Sequence, residues 1–208
     1  MNKVKIIGAG LAGCEAAMQL ANRGVNVELY EMKPKKRTPA HKTNFFAELV
    51  CSNSLKASRI DSAAGLLKEE MRRFGSVCLK SADSCSVAAG GALAVDRDIF
   101  AENITNEILK HPNIKVLEEV IEKIPEDSIV IIASGPLTDS LLAEDIKKYT
   151  ESENLSFYDA AAPIVTADSI NMEKAFTRGW TMELIRAAFP ASANRYEANK
   201  GLFKLPSV

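Results

Sequence analysis

The feature that most constrains the fold is a strand–turn–helix pattern at the N-terminus. A largely apolar run at residues 4–7, VKII, leads directly into the sequence GAGLAG, and apolar positions at helical spacing follow it. Gly24 is suited to a left-handed helix cap, and residues 25–29 then alternate apolar and polar side chains as a strand does. This β–α–β beginning predicts an α/β fold of the Rossmann-like kind that binds FAD or NAD(P).

Gly8, Gly10 and Gly13 form the spacing G-x-G-x-x-G directly after the predicted strand and at the start of the helix. In that context the first glycine permits a tight turn, the second lets the backbone approach a pyrophosphate, and the third allows close helix-to-strand packing. The helix N-terminus adds partial positive charge toward the phosphates. We therefore expect a dinucleotide to lie against Gly8, Ala9, Gly10, Leu11, Ala12 and Gly13.

Glu31 ends the second predicted strand, about 20 residues after the glycines, where a carboxylate accepts hydrogen bonds from an adenosine ribose. A carboxylate there disfavours a 2′-phosphate, so NADP is the poorer candidate. From Lys33 to about Ser58 the pattern shows no further strand and crossover, and it predicts loop with some short helix. An NAD domain would usually continue with another crossover, so this excursion favours FAD over NAD.

Further along the chain, local patterns predict five elements and one extended segment. These are a helix from about Ser62 to Phe74 with Leu67, Met71 and Phe74 on its apolar face, an extended segment at 77–95, a helix capped by Asp96 or Asp98 with Phe100, Ile104 and Ile108 on its apolar face, a strand at 114–117, a fully buried strand at 128–133 followed by the turn Ser134-Gly135-Pro136, and a helix containing Leu142, Ile146 and Tyr149. The prediction is an FAD-binding domain over residues 1–150, with a candidate linker at 151–154.

Composition narrows the function classes. A net charge of -1 and a pI of about 6.2 lack the basic balance of many nucleic-acid-binding domains. The four cysteines form no Cys-x-x-Cys pair and no metal-ligand spacing with histidine, so we expect free thiols and no metal site. Because the apolar runs are short of the roughly 20 residues that span a bilayer and no signal peptide is evident, a cytoplasmic location without membrane contact is predicted.

Five segments occur in the order found in one bacterial enzyme family. They are IIGAGLAGCEAA, NFFAELVCSNSLK, AGGALAVDRDIF, IIASGPLT and FYDAAAPIV. Over about residues 2–176 the chain resembles the TrmFO-type tRNA methyltransferases. The resemblance implies methylation of uracil C5 in the T-loop of tRNA, with methylenetetrahydrofolate as carbon donor, reduced FAD as reductant, and NADPH or NADH as the source of electrons.

The resemblance also implies site residues. It places FAD against residues 8–13 and Glu31, and it places Asp96 and Arg97 in a second flavin-facing segment. Ser134 and Gly135 resemble a small turn that follows a strand near FAD. Each has a plain structural alternative, which is helix capping for Asp96 and an ordinary turn for Ser134-Gly135.

Cys51 is the implied catalytic residue. Uracil C5 becomes nucleophilic when a group adds to C6, and a thiolate both attacks and leaves readily. The resemblance implies either that role or handling of the C5 proton, with a thiol pKa lowered by neighbours such as Lys56 or a helix terminus. The alternative is a small buried hydrophobe following Leu49 and Val50.

Two basic clusters and one histidine each have two possible interpretations. The clusters are Lys33, Lys35, Lys36, Arg37 and Lys42, and then Arg72 and Arg73. Both are candidate contacts for RNA phosphates, and the first also for folate glutamates, but solvated surface is the plainer interpretation of each. His41 is either a flavin or substrate contact or a loop residue without a role.

After Phe176 the sequence no longer follows the family pattern. Residues 151–176 are predicted to begin a linker or second domain, and residues 177–208 resemble no part of the family pattern, which favours a frameshift or fragmentary gene product. We therefore expect weak or absent FAD retention and no turnover by this chain alone. The competing functions are a general FAD-dependent oxidoreductase and a non-catalytic nucleotide-binding fragment; the sequence predicts no oligomeric state.

Overall fold

The computed structural model describes residues 3–150, together with the backbone of two short strands at 164–166 and 202–204. The chain divides into two compact units, Met1–Val87 with Ala92–Ala160 and Ala88–Gly91 with Ala161–Val208. Apart from those two strands, the predicted linker or second-domain segment at 151–176 and the predicted tail at 177–208 lie outside the described residues.

Strands and helices are interspersed along the chain. They are β1 (Lys3–Ile7), α1 (Leu11–Ala21), β2 (Asn26–Glu31), β3 (Ser54–Ala57), α2 (Ala63–Arg73), α3 (Val77–Ser84), β4 (Ser86–Val87), β5 (Ala92–Val95), α4 (Arg97–Lys110), β6 (Ile114–Glu118), β7 (Ile129–Ile132), a 3₁₀ turn (Gly135–Leu137), α5 (Ser140–Thr150), β8 (Ile164–Thr166) and β9 (Leu202–Lys204). No helix among the described residues is both long and apolar enough to cross a bilayer.

The main sheet has the strand order β6-β2-β1-β7, and every neighbouring pair is parallel. Val4 of β1 lies opposite Val27 of β2 and Ile129 of β7. Parallel strands joined through helices are the arrangement predicted from the N-terminal pattern, so the α/β, Rossmann-like fold class is confirmed. A second sheet, β3-β5-β4, is antiparallel, and in the second unit β8 pairs antiparallel with β9.

Helix α4 packs on the core as predicted. Phe100, Ile104 and Ile108 are all fully buried, together with Ile6 and Leu29 of the sheet. The helix begins where Asp96 caps it, because its Oδ1 accepts hydrogen bonds from the backbone N–H groups of residues 98 and 99. This packing fixes the segment that follows β5 against the face of the sheet that α1 also covers.

The prediction of an extended segment at 77–95 was wrong for its first half, which forms α3. Ser76 caps this helix by accepting from the Leu79 N–H at 3.1 Å, and Glu15 of α1 accepts from both the Ser76 hydroxyl and the Cys78 N–H. The small residues there serve close helix packing, since the buried Ser81 donates to the Phe100 carbonyl of α4. The prediction of no strand before about residue 58 was also wrong, because β3 pairs with β5.

Helix α2 has the predicted bounds, with Ser62 as its N-cap, but its predicted apolar face does not face the core. Leu67 and Phe74 are 57% and 70% exposed, whereas Lys68 is buried. The Lys68 ammonium donates to the carbonyl of Ala57 at 2.9 Å, and a Cβ at Gly65 would lie 1.7 Å from the Arg59 carbonyl oxygen. The helix is held by those close contacts, which turn its leucines outward.

The strand at 129–132 is present but not fully buried. Within the described part of the chain β7 pairs with β1 alone, so it forms an edge of the main sheet. Ile129 is 62% exposed and Ile132 is 39% exposed. An unbroken apolar run indicates burial on both faces for a strand in the interior of a sheet, and β7 has a neighbour on one side only among the described residues.

Candidate functional site

A cleft of about 320 Å³ opens at the carboxyl ends of β1, β2 and β7. The chain runs from β1 to β2 and β6 on one side and returns to β7 on the other, so the strand order reverses at β1. Such a switch point is where ligands bind in open α/β sheets. The cleft is lined by residues 7–12, 30–32, 41, 50, 119–121, 133–139 and 142.

The glycines of the predicted loop have different structural requirements. Gly8 has a φ of +100°, and a Cβ there would lie 2.8 Å from the Ala133 carbonyl oxygen. A Cβ at Gly13 would lie 1.8 Å from the carbonyl oxygen of Gly8. At Gly10, by contrast, the nearest atom is the Ala133 oxygen at 4.0 Å. The fold therefore requires Gly8 and Gly13, whereas Gly10 leaves open space that faces the cleft.

The start of α1 presents unpaired donors to the same space. Gly10 is the N-cap, and the Cys14 N–H is the donor to the Gly10 carbonyl at 3.0 Å. The backbone N–H groups before Cys14 have no acceptor within the helix, which is the general condition of a first turn. Because Leu11 and Ala12 line the cleft, these groups and the helix dipole favour an anion there.

The Glu31 carboxylate is buried at the floor of the cleft. Its Oε2 accepts a hydrogen bond from the Ala9 N–H at 2.9 Å, and its Oε1 accepts from the Lys33 N–H at 3.0 Å. The carboxylate thus joins the end of β2 to the glycine loop. A carboxylate oxygen can accept more than one hydrogen bond, so both oxygens retain capacity for a ligand hydroxyl.

Ser134 and Gly135 line the opposite wall, beyond β7. The Ser134 and Thr138 hydroxyls are hydrogen-bonded at 2.7 Å, and Gly135 has a φ of +69° as it begins the 3₁₀ turn. These contacts describe a structured turn that lies at the cleft. The geometry therefore does not separate the two interpretations of this segment, which are a turn near FAD and an ordinary structural turn.

An ion pair joins the two walls. Lys36, in the loop after β2, pairs with Asp139, which lines the cleft just before α5. The hydrogen bond from this ammonium lowers the pKa of the Asp139 carboxyl. In the same loop Lys33 is buried and pairs with Glu48 at 3.6 Å. Part of the first basic cluster is therefore neutralised internally. Its exposed members are Lys35, Lys36, Arg37 and Lys42, and of these Lys36 alone has an ion pair among the described residues.

The second basic cluster is also paired. The Arg72 guanidinium makes two hydrogen bonds to Asp83, at 2.7 and 2.8 Å, and Arg73 contacts Glu69 at 3.4 Å. These pairs satisfy the charge of both arginines on the surface. The arrangement matches the plainer interpretation of a solvated surface.

Cys51 carries an exposed free thiol. Its neighbour Val50 lines the cleft, and the segment is tied to the glycine loop by a hydrogen bond from the Ala47 N–H to the Ala9 carbonyl at 2.8 Å. The alternative that Cys51 is a buried hydrophobe is excluded by its exposure. Among the described residues no hydrogen bond joins the Cys51 thiol to Lys56 or to a helix terminus, and the activating neighbours stay a prediction.

The other three cysteines have buried side chains. Burial raises the pKa of Cys14 to about 12, and it raises the pKa of Cys78 and Cys85 as well. Cys14 donates to the Ala9 carbonyl at 3.3 Å, so it belongs to the packing of the glycine loop. These thiols are poor nucleophiles in the folded chain.

Asp96 and Arg97 do not line the cleft. Asp96 caps α4, and the Arg97 guanidinium lies 3.4 Å from the carbonyl oxygen of Leu49, to which it donates. Arg97 therefore supports the backbone two residues before Cys51. The flavin contact expected for this segment stays a prediction.

His41 lines the cleft and is half-buried. Its Nδ1 is hydrogen-bonded to the Thr38 hydroxyl at 2.7 Å. Burial lowers the pKa of the imidazole, and the charge of Lys33 lowers it further. No set of three or more His, Cys, Asp or Glu side chains in the described part of the chain is arranged to hold a metal ion.

Sequence reasoning missed several parts of the cleft wall. Tyr30, Met32, Glu119 and the two apolar residues after it come from the carboxyl ends of β2 and β6. These residues could be assigned to the cleft only once β6 was known to lie beside β2, because the ends of parallel strands meet at one edge of the sheet.

Comparison with known proteins gives a consistent result. A family model described as "GIDA: Glucose inhibited division protein A" matches residues 3–197. A Desulfitobacterium hafniense protein named "Methylenetetrahydrofolate--tRNA-(uracil-5-)-methyltransferase TrmFO" is 58% identical over 176 residues, which are 85% of this chain and 40% of the relative. A Pelotomaculum thermopropionicum protein of the same name is 54% identical over 196 residues, 93% of this chain and 45% of the relative.

The chain thus spans about 40% of the length of the curated relatives it matches. Among solved structures, Aquifex aeolicus GidA is similar over 60% of this chain and 21% of its own, with 17% identity and a TM-score of 0.48.

Proposed function

The chain belongs to the glucose inhibited division protein A family, and we propose that it forms the dinucleotide-binding part of a tRNA methyltransferase. The proposed reaction is methylation of C5 of a T-loop uridine in tRNA, with methylenetetrahydrofolate as carbon donor and reduced FAD as reductant. Relatives 54–58% identical to this chain carry the name of that activity. Because the chain spans 40% of such relatives, the activity is proposed for the whole protein.

The cleft at the end of β1 carries the proposal. Open space at Gly10, unpaired N–H groups at the start of α1 and the Glu31 carboxylate lie together in it. These features fit a dinucleotide, with the diphosphate at residues 8–13 and the adenosine ribose hydroxyls on Glu31. We assign Ser134 and Gly135 to the same cofactor, and we extend the assignment to Asp96 and Arg97 on the family resemblance alone.

FAD, when bound and reduced, would supply the electrons that convert the transferred one-carbon unit to a methyl group, and NADPH or NADH would renew them. The chain itself supplies Cys51. Its exposed thiol is accessible to a pyrimidine, and as a thiolate it would add to uracil C6 so that C5 becomes nucleophilic, or it would accept the C5 proton.

A chimera tests the proposal. Residues 3–176 of this chain replace the matching segment of the Desulfitobacterium hafniense relative, and transfer of labelled carbon from methylenetetrahydrofolate to tRNA is measured with FAD and NADPH. We expect transfer in the chimera and its loss in the same chimera with Cys51→Ser.

Other outcomes would identify the competing functions. Oxidation of NADPH with FAD bound, but without methyl transfer to tRNA, would indicate an oxidoreductase. Nucleotide binding without either reaction would indicate a non-catalytic nucleotide-binding segment. Each result would overturn the methyltransferase proposal for this chain.

A further inference from the structure

His41 is a polar side chain of the cleft that the proposed cofactor assignment leaves without a role. It lies in the loop between β2 and β3 and lines the same cleft as Glu31 and the glycine loop. Glu31 is among the charged groups that influence the pKa of the His41 imidazole. His41 and the residues proposed to hold the adenosine ribose and diphosphate therefore line one cleft.

The imidazole is held in place before any ligand arrives. The Thr38 hydroxyl is hydrogen-bonded to Nδ1 at 2.7 Å, and the His41 N–H donates to the Thr38 carbonyl at 3.1 Å. A histidine whose one ring nitrogen is fixed in this way presents the other in a defined direction. The ring needs no large rearrangement to meet a ligand.

The backbone after His41 is fixed as well. Glu48 accepts hydrogen bonds from the N–H groups of Lys42 and Thr43, at 2.8 and 3.2 Å. Glu48 is in turn paired with Lys33, whose side chain is 3% exposed and also donates to the Phe45 carbonyl. A buried ammonium therefore anchors the loop through a carboxylate, and the loop carries His41 at the cleft.

The charge state follows from these neighbours. Burial and the Lys33 ammonium lower the imidazole pKa, while Glu48 and Glu31 act in the opposite direction. At neutral pH the ring is uncharged, so one nitrogen donates and the other accepts. With Thr38 on Nδ1, Nε2 is the atom available to a ligand oxygen.

We propose that His41 binds the adenosine-diphosphate half of the dinucleotide through Nε2, with Thr38 as its positioning residue. This inference rests on the proposed function, because it requires a dinucleotide in the cleft. It adds a contact from the loop above the glycines to those from the glycine loop and Glu31. The flavin half of the cofactor has no part in it.

Titration calorimetry with ADP and with FAD tests the contact in the 208-residue chain. We expect His41→Ala to weaken binding of both ligands about 5- to 10-fold, because one hydrogen bond is lost. His41→Gln, whose amide reaches about as far as Nε2, should recover most of the affinity. Thr38→Val should lose about threefold, and Lys35→Ala, an exposed change in the same loop, should bind both ligands like the wild type.

The ring resonances of His41 give a second readout that does not depend on the variants folding. On addition of ADP to the wild-type chain, the Cε1–H and Cδ2–H signals of His41 should shift, and those of His111, on the turn before β6, should not. Wild-type affinity in His41→Ala together with unshifted His41 signals would overturn this inference alone. Weak FAD binding is expected of this chain alone, so ADP is the deciding ligand. Failure of the wild-type chain to bind ADP would overturn the proposed placement of the dinucleotide in the cleft, and this inference with it.

Discussion

The Glu31 carboxylate accepts a hydrogen bond from the backbone N–H of Ala9, at 2.9 Å, and so fastens the glycine loop to the end of β2. Its other oxygen accepts from the Lys33 N–H. Glu31 thus has a structural role in the fold and a proposed binding role toward a ribose. Because of these two roles, a change of the carboxylate should reduce both the stability of the fold and the affinity for a nucleotide.

Glu31→Gln should lower the free energy of unfolding by about 1–3 kcal/mol, because the amide NH₂ then faces one of the two backbone donors in a buried position. ADP affinity should fall with it. Urea denaturation and calorimetry measure the two effects. Glu28→Gln on the same strand is the control, since Glu28 pairs with the half-exposed Lys3 and should cost less than about 1 kcal/mol. Equal costs for the two variants would contradict the role assigned to Glu31.

Alanine at Gly10 and at Gly13 should separate binding from folding. Gly13→Ala places a Cβ 1.8 Å from the Gly8 carbonyl oxygen and should destabilise the chain by about 3 kcal/mol or more. Gly10→Ala meets no atom closer than 4.0 Å, so its stability should stay within about 1 kcal/mol of wild type. Its ADP affinity should nevertheless drop more than about tenfold, because the methyl group occupies the space proposed for the diphosphate. Normal ADP binding by Gly10→Ala would refute that placement.

Thiol labelling should single out Cys51. In the folded chain one thiol should react rapidly with a disulfide reagent, and four should react after denaturation, since the other three have buried side chains with a raised pKa. Cys51→Ser should abolish the rapid phase. A second rapidly reacting thiol in the native chain would show that the packing around α1 and α3 is looser than described.

Asp96 offers a choice between capping and cofactor contact. Asp96→Ala should cost about 1 kcal/mol of stability through loss of the α4 cap, whereas Asp96→Asn should retain it. The flavin contact proposed for this segment requires that Asp96→Asn weakens FAD binding while leaving ADP binding and stability unchanged. Unaltered FAD affinity would restrict Asp96 to capping.

Acid should weaken the fold through His41. Because burial lowers its pKa below the ordinary value of 6.5, the unfolded chain binds more protons than the folded chain in the range below 6.5. The stability contributed by the neutral ring is fully present above pH 6.5 and declines as pH falls through the folded-state pKa. Urea denaturation at pH 7.5 and pH 5 should show a smaller loss for His41→Gln than for wild type. An identical loss would mean that other groups carry the acid sensitivity.

Local patterns predicted what local interactions decide. The glycine loop, β2 and the capped helix α4 follow from spacing and capping residues, and each appears within a few residues of its predicted bounds. Helix α3 was missed because its stability comes from Glu15 of α1 and from close packing of small residues, which are tertiary contacts. The exposure of Leu67 was missed because Gly65 and Lys68 hold α2 by a different face.

The site divides in the same way. The glycines, Glu31 and the Ser134 turn follow from motifs that end strands, and the parallel sheet brings them to one cleft. The position of Glu119 depends on β6 lying beside β2, and that of the His41–Thr38 pair depends on a loop anchored by Lys33. Neither feature produces a periodic pattern in the sequence. The exposure of Cys51 was likewise a matter of loop path, since its flanking residues, Leu49 and Val50, are apolar.

The hydrogen bond from the Ala47 N–H to the Ala9 carbonyl couples the loop that leads to Cys51 to the glycine turn. Whatever tightens the turn also restrains the sulfur four residues further along. Thermodynamic linkage then requires that a bulky adduct on the Cys51 thiol and a nucleotide bound at the turn change each other's equilibrium constant of binding by the same factor.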